Sequence, residues 1–208
     1  MTPGDYHEAV WAAVPEDAVA AGLARRRTFL LARVNPGERV LDLGCATAEL
    51  TDALGRAGTR VVGADVSAEA LRRARHRHPD LDLRLIAADQ ELPLPDASFD
   101  VVWAGEVIEH VLDTAGWLSE VRRVLVPGGR LLLSTPALSR VALVAIALSP
   151  AGPGGHFDPR GDHVRFYTRA SLRELLDDLG FEAVTIRGVG GLPGARATLL
   201  AGARRGRW

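Results

Sequence analysis

Two groups of residues in this chain of 208 have the types and spacing to do chemistry. The first is Glu106, Glu109 and His110, at i, i+3 and i+4. If a helix follows the apolar run before them, the three share one face, with Cβ atoms about 5–6 Å apart. Three readings are open. The acids can simply favour a helix N-terminus while His110 packs against a sheet edge. His110, with Glu106 beside it, can act as a general base that takes a proton from an acceptor. Or the three can bind a divalent metal, magnesium or manganese before zinc, that lowers the pKa of a substrate hydroxyl. The second group is Asp42, Asp65 and Asp89, each at or just past the end of a predicted strand, with Gly44 close behind the first.

The elements that must position these residues can be read from the pattern. Residues 39–43 form a short apolar run bounded by the turn signal Pro36-Gly37. After Gly44, Leu50, Ala53, Leu54 and Ala57 recur at helical spacing. The stretch predicts strand, tight turn and helix, with Thr47 as N-cap. Gly44 permits a left-handed backbone, so a ligand can lie against the turn at the strand's carboxyl end. A dinucleotide fingerprint needs two more glycines, but Ala46 and Ala48 occupy the small positions beside Gly44. Glu49 in the first helical turn would repel a pyrophosphate, and Asp42 adds a second negative charge. A cationic nucleoside fits better; S-adenosylmethionine, with its sulfonium and ammonium, is one. Asp42, Gly44, Cys45, Ala46 and Thr47 are its expected contacts.

Residues 60–65 predict the second strand. Asp65, followed by Val66, lies about twenty residues past the glycine turn, where an acid can accept from both ribose hydroxyls. Capping the next helix, over 67–77, is the plainer role, but Ser67 serves that better. Residues 81–87 alternate as a third strand. Beyond it, Asp89 can accept from an adenine amino group, and Gln90 can face the ring. Residues 99–104 are apolar enough for a strand buried on both faces, bringing Ala104 and Gly105 beside the same ligand. Regular alternation of strand and helix predicts an α/β protein with a parallel, doubly wound sheet.

Composition narrows the function. Apolar content is 47% and charged content 25%, the balance of a soluble globular chain, and the length suits one domain. Net charge is −1, so no global field recruits nucleic acid. All 25 basic residues are arginine, which excludes a lysine Schiff base and a P-loop lysine. Cys45 is the only cysteine, so no intramolecular disulfide can form. With no signal peptide or spanning run in view, the expected compartment is cytoplasmic.

Helices are predicted over 5–14 and 15–32. Tyr6, His7 and Trp11 share one face of the first, to pack it on the sheet or to lid the cofactor. Arg25, Arg26 and Arg27 read as a solvated face, as do Arg72, Arg73, Arg75 and Arg77. A helix over 117–125, the turn Pro127-Gly128-Gly129 and a fifth strand over 130–135 follow. The apolar run 141–148 is either a core-packed helix or a wall for a hydrophobic acceptor, with shallow membrane contact an added option. Pro150 to Gly155 read as a hinge, with His156 past it. Thr168 caps a helix ending at Gly180, 181–187 and 195–201 are strands, and 204–208 a frayed tail.

Taken together, the motifs resemble the class I S-adenosylmethionine-dependent methyltransferases, in the group that includes the ubiquinone-biosynthesis O-methyltransferases. The matching runs are V-L-D-L-G-C-A-T-A at 40–48, G-A-D-V-S at 63–67, A-D at 88–89, F-D-V-V at 99–102, E-V-I-E-H-V at 106–111 and V-L-V-P-G-G-R-L-L-L-S-T-P at 124–136. The resemblance implies a seven-stranded, mostly parallel Rossmann-like sheet whose last strand inserts antiparallel between its neighbours. It implies a single domain over 1–208, with a helical lid at 1–35 and an acceptor-site insertion at about 137–163. The E-V-I-E-H run is similar to a metal-binding segment in ubiquinone O-methyltransferases and in enzymes that methylate the 3′-terminal 2′-hydroxyl of small RNAs. In the latter a downstream histidine completes the site, which implies Glu106, Glu109, His110 and His163 as ligands; alone, His163 reads as an exposed loop residue. The family usually has glycine at 46 and 48, so Ala46 is expected to crowd the methionine portion.

The expected reaction is O-methylation of a small hydrophobic or phenolic acceptor, with magnesium or another divalent metal as an option. N- or C-methylation without metal and RNA 2′-O-methylation are alternatives, the RNA version being disfavoured by the missing basic stripe. A cofactor-binding domain without turnover and a nicotinamide oxidoreductase are the readings from other classes. The sequence leaves oligomeric state open.

Overall fold

The computed structural model describes residues 3–16, 18, 20–88, 90–157, 161–192 and 197–206; side chains are described from residue 7 onward. Seven strands form one sheet: β1 Arg39–Leu43, β2 Arg60–Asp65, β3 Asp82–Leu85, β4 Phe99–Gly105, β5 Leu125–Pro136, β6 Phe181–Val189 and β7 Thr198–Arg205. Their order is β3-β2-β1-β4-β5-β7-β6. The first five are parallel, and β7 runs antiparallel to both β5 and β6. The chain steps outward from β1 to β3, then returns to lay β4 on the other side of β1. That reversal leaves a crevice at the carboxyl ends of β1 and β4, where such sheets take ligands.

Eight helices are described: α1 Pro3–Ala13, α2 Leu23–Leu31, α3 Glu49–Arg56, α4 Ala68–Arg77, α5 Thr114–Val124, α6 Arg140–Leu148, α7 Gly152–His156 and α8 Arg169–Asp178. One tight helical turn, Ile108–His110, follows β4. The apolar run of β4 buries Val101, Val102, Trp103 and Ala104 between helices on both faces. One core cluster joins β4 and β5 to α5 and α8, and another sets Phe29 and Leu30 of α2 on Val40, Trp103 and Leu132. Among the described residues no helix is long and apolar enough to cross a membrane.

Several expectations need correction. The second helix starts at Leu23, not residue 15, because Gly22 turns left-handed at its N-cap. Thr47 does not cap α3; Ala48 stands at that position with φ of +67°, and the Thr47 hydroxyl donates to the Glu49 carboxylate instead. Arg73 faces inward, donating to Glu69 and to the Val14 carbonyl. Arg204 and Arg205 belong to β7 rather than a frayed tail, and Arg205 donates to the Leu125 carbonyl. Residues 152–156 form α7 where a hinge was read. The core-packed reading of 141–148 fails, since α6 has no buried residue.

Candidate active site

A cavity of about 840 Å³ opens at the carboxyl ends of β1, β2 and β4. At its centre lies the glycine turn. Gly44 has φ of +79°, and a Cβ there would come within 2.3 Å of a Val107 methyl. The Gly44 and Cys45 amides both donate to the Ala64 carbonyl, at 2.7 and 3.0 Å, which ties the turn to β2. Ala46 and Ala48 also have positive φ, +51° and +67°. Left-handed backbone costs an alanine about 1–2 kcal/mol that glycine escapes, which accounts for glycine being the commoner residue in such turns. Here the turn keeps that shape with alanine.

Asp65 holds the turn from the side. Its carboxylate accepts from the Ala46 amide at 2.8 Å and from the Ser67 amide at 2.9 Å. A carboxylate has about four acceptor positions, so these amides leave capacity for a ligand, and Asp65 lines the cavity. Burial raises its pKa, against the pull of those amides. Asp42, buried at the end of β1, accepts from the Thr51 hydroxyl at 2.6 Å. Burial pushes its pKa up to about 7, helped by repulsion from Asp65 and Glu49. These acids crowd one end of the cavity with no lysine in the chain to offset them. A cationic ligand fits that field, and an anionic one does not.

Cys45, Ala46, Val66, Gln90 and Gly105 line the cavity as expected, with Ile86, Ala87, Ala88 and Trp117 along the far wall. A Cβ at Gly105 would strike the Trp103 ring at 2.7 Å, so only glycine fits there. Thr47 is not among the lining residues, and Ala104 is packed in the core. Asp89 lies outside the described residues.

The acceptor end departs from the helical spacing read in the sequence. Glu106 has φ of +58°, so the helical face over 106–110 does not form. The Glu106 side chain accepts from the Ser134 hydroxyl at 2.6 Å and pairs with Arg26 at 3.5 Å. Arg26 is buried and lines the cavity, against its reading as solvated. A signal was present: Arg26, Phe29 and Leu30 stand at i, i+3 and i+4 on one face of α2.

His110 points into the cavity. Its Nδ1 sits 2.9 Å from the Asp162 carbonyl oxygen. A carbonyl only accepts, so Nδ1 carries the proton and Nε2 keeps a free lone pair. Burial lowers the His110 pKa, with the Asp162 carbonyl pulling the other way. The Glu109 carbonyl accepts from the Val164 and Arg165 amides at 2.9 and 3.0 Å. These bonds bring His163 beside His110, ring centroids 4.9 Å apart. His7 of α1 approaches His110 from the other side, at 6.0 Å. Asp162 was not among the catalytic or binding candidates read in the sequence, and His7 was read only as part of a helix face that packs on the sheet or lids the cofactor.

Glu109 is buried, and its carboxyl makes no hydrogen bond of ordinary geometry, although the Thr135 hydroxyl is near enough to favour its charged form. Burial, then repulsion from Glu106, pushes its pKa up to about 8. Potential ligand atoms of Glu109, His110 and His163 lie within 4.8 Å of one another. An orphaned acid beside two imidazoles is a fitting donor set for a divalent cation. Glu106 is not part of this group: Ser134 and Arg26 hold it elsewhere.

Residues 16–186 match the model of a methyltransferase domain. The chain belongs to the methyltransferase family. Among relatives, it is 39% identical over 153 residues to a probable S-adenosylmethionine-dependent methyltransferase of Mycolicibacterium smegmatis, covering 74% of this chain and 55% of that protein. It is 32% identical over 163 residues to the mitochondrial ubiquinone biosynthesis O-methyltransferase of Rattus norvegicus, covering 74% of this chain and 47% of the relative. The chain thus spans about half the length of these curated relatives. An S-adenosylmethionine-dependent methyltransferase from Mesorhizobium loti superposes with a TM-score of 0.68 at 25% identity, over 92% of this chain and 100% of that one. The methyltransferase family accounts for the glycine turn, the acid ending β2 and the antiparallel β7 together.

Proposed function

We propose that this chain is an S-adenosylmethionine-dependent methyltransferase that methylates a hydroxyl of a small apolar or phenolic acceptor. The observation that carries the reading is one continuous cavity, with Gly44, Asp42 and Asp65 at one end and His110 at the other. Bound S-adenosylmethionine supplies a methyl group on an activated sulfonium. The protein aligns donor and acceptor and keeps the site dry. Asp65 accepts from the ribose, Asp42 offsets positive charge, and Arg26 is available to the nucleoside's carboxylate. Nε2 of His110 takes the acceptor proton, and the Asp162 carbonyl keeps the ring in the right tautomer. The rat relative is a ubiquinone biosynthesis O-methyltransferase, which supports oxygen as the methylated atom.

The unpaired Glu109 carboxylate favours a second version of the same chemistry. A divalent cation held by Glu109, His110 and His163 would act as a Lewis acid toward the acceptor oxygen. EDTA then abolishes turnover and added magnesium restores it; turnover that ignores EDTA excludes this version. Helix α6 does not line the cavity but presents an apolar surface, with Val144 59% and Leu148 81% exposed, and shallow lipid contact there is part of the reading. Screening catechols, hydroxyquinones and amines with methyl-labelled cofactor tests the function. Label on a hydroxyl supports it, label on nitrogen redirects it to N-methylation, and no transfer to any class contradicts it.

A further inference from the structure

We infer that Glu8 is a positioning residue that anchors α1 over the cofactor end of the cavity and thereby sets how fast the nucleoside leaves. The inference rests on the cofactor reading above. Glu8 reaches from α1 to the N-terminus of α4. One carboxylate oxygen accepts from the Ser67 hydroxyl at 2.8 Å, and the other from the Glu69 amide at 2.9 Å. The first turn of α4 has orphan amides and a positive end of the helix dipole, so a carboxylate is well placed there. The serine hydroxyl still accepts from the Ala70 amide at 3.1 Å. A residue from a distant helix thus completes a cap that Ser67 alone leaves half made.

The two faces of α1 divide the work. His7, Val10, Trp11 and Val14 line the cavity, while Glu8 does not. At the far end, buried Arg73 donates to the Val14 carbonyl at 2.8 Å and to Glu69 at 2.7 Å. Arg77 donates to the Glu16 carbonyl. The roof is therefore pinned to α4 at its middle, through Glu8, and just past its C-terminal end, through Val14 and Glu16. Ser67 also gives its amide to Asp65, whose other oxygen holds the Ala46 amide. One serine joins the anchor of the roof to the acid that faces the ribose. For a nucleoside to leave past α1, the Glu8 contact must yield.

The test is stopped-flow release of S-adenosylhomocysteine from the full chain. Glu8→Ala speeds release roughly tenfold, the size of a lost helix cap, and Glu8→Gln falls between it and wild type. Arg84→Ala removes an exposed pair within β3, Arg84 to Asp82, and leaves release unchanged. Unaltered release in Glu8→Ala, or equal acceleration in Arg84→Ala, overturns the inference. If Glu8→Ala does not fold, hydrogen exchange of the wild-type chain decides: α1 amides must slow when S-adenosylhomocysteine is added, and unchanged exchange overturns it. If the wild-type chain takes up no S-adenosylhomocysteine at all, the cofactor reading itself fails, an outcome distinct from uptake with unaltered release.

Discussion

At the nucleoside end of the cavity, every key group is fixed by a short, buried contact: Asp65 by two backbone amides, Asp42 by Thr51, and the glycine turn by Ala64. At the acceptor end, Glu106 turns left-handed where a helical face was read, the Glu109 carboxyl makes no hydrogen bond of ordinary geometry, and His163 is brought in by backbone contacts from a distant loop. The difference teaches where each function is encoded. A ligand common to a whole family is met by local backbone geometry that a few small residues specify. A ligand particular to one member is met by side chains gathered from far apart, on a surface that tolerates change.

Four changes break or sharpen this contrast. The largest effect belongs to the acceptor end: His110→Ala lowers kcat by about 10²–10⁴, the usual worth of a general base, with cofactor affinity nearly unchanged. Steady-state kinetics beside calorimetry separate the two terms. At the nucleoside end, Asp65→Ala weakens S-adenosylmethionine binding by about 100-fold or more, since each hydrogen bond to a charged group is worth roughly 1.5–3 kcal/mol. The same variant leaves the Ala46 and Ser67 amides without their acceptor, so its melting temperature also falls.

Next comes pH. In the free protein Asp42 titrates at about 7 because burial disfavours its charged form. A bound cation favours that charged form, so the complex holds fewer protons than the free protein. Affinity for S-adenosylmethionine therefore rises with pH up to about 7, by at most tenfold per unit, and levels off above it. Asp42→Asn flattens the profile. The smallest effect on the fold is at α6: Val144→Ser changes stability by no more than about 0.5 kcal/mol, as exposed positions do. A drop of several kcal/mol in thermal or chemical unfolding would return α6 to the core.

How much could be read in advance follows the same division. The strands 39–43, 60–65 and the start of β4 were legible because apolar periodicity and turn residues agree with the final packing. The meeting of Gly44 and Asp65 at one cavity was legible because strand ends in a doubly wound sheet converge. Glu106 was misread because a helical face was assumed through a residue that turns left-handed, and nothing in Gly105-Glu106-Val107 announces that turn. Thr47 lost its capping role to the same cause, a positive φ at Ala48. Arg26 was taken with its neighbours as solvated, although its spacing from Phe29 and Leu30 marked it as inward. Asp162 and His7 approach His110 across long sequence separations, which no local pattern records, although His7 had been placed on a packing or lid face of the first helix. Glu8 was invisible for the same reason: its partner, the first turn of α4, lies 59 residues away.

The central claim, that a cationic thioether nucleoside occupies the crevice between β1 and β4, is tested most directly by titration calorimetry of the full chain at pH 8. S-adenosylmethionine and S-adenosylhomocysteine should each bind one to one and compete with each other, while NADH gives no heat. Uptake of neither nucleoside, or uptake of NADH in their place, would contradict the account.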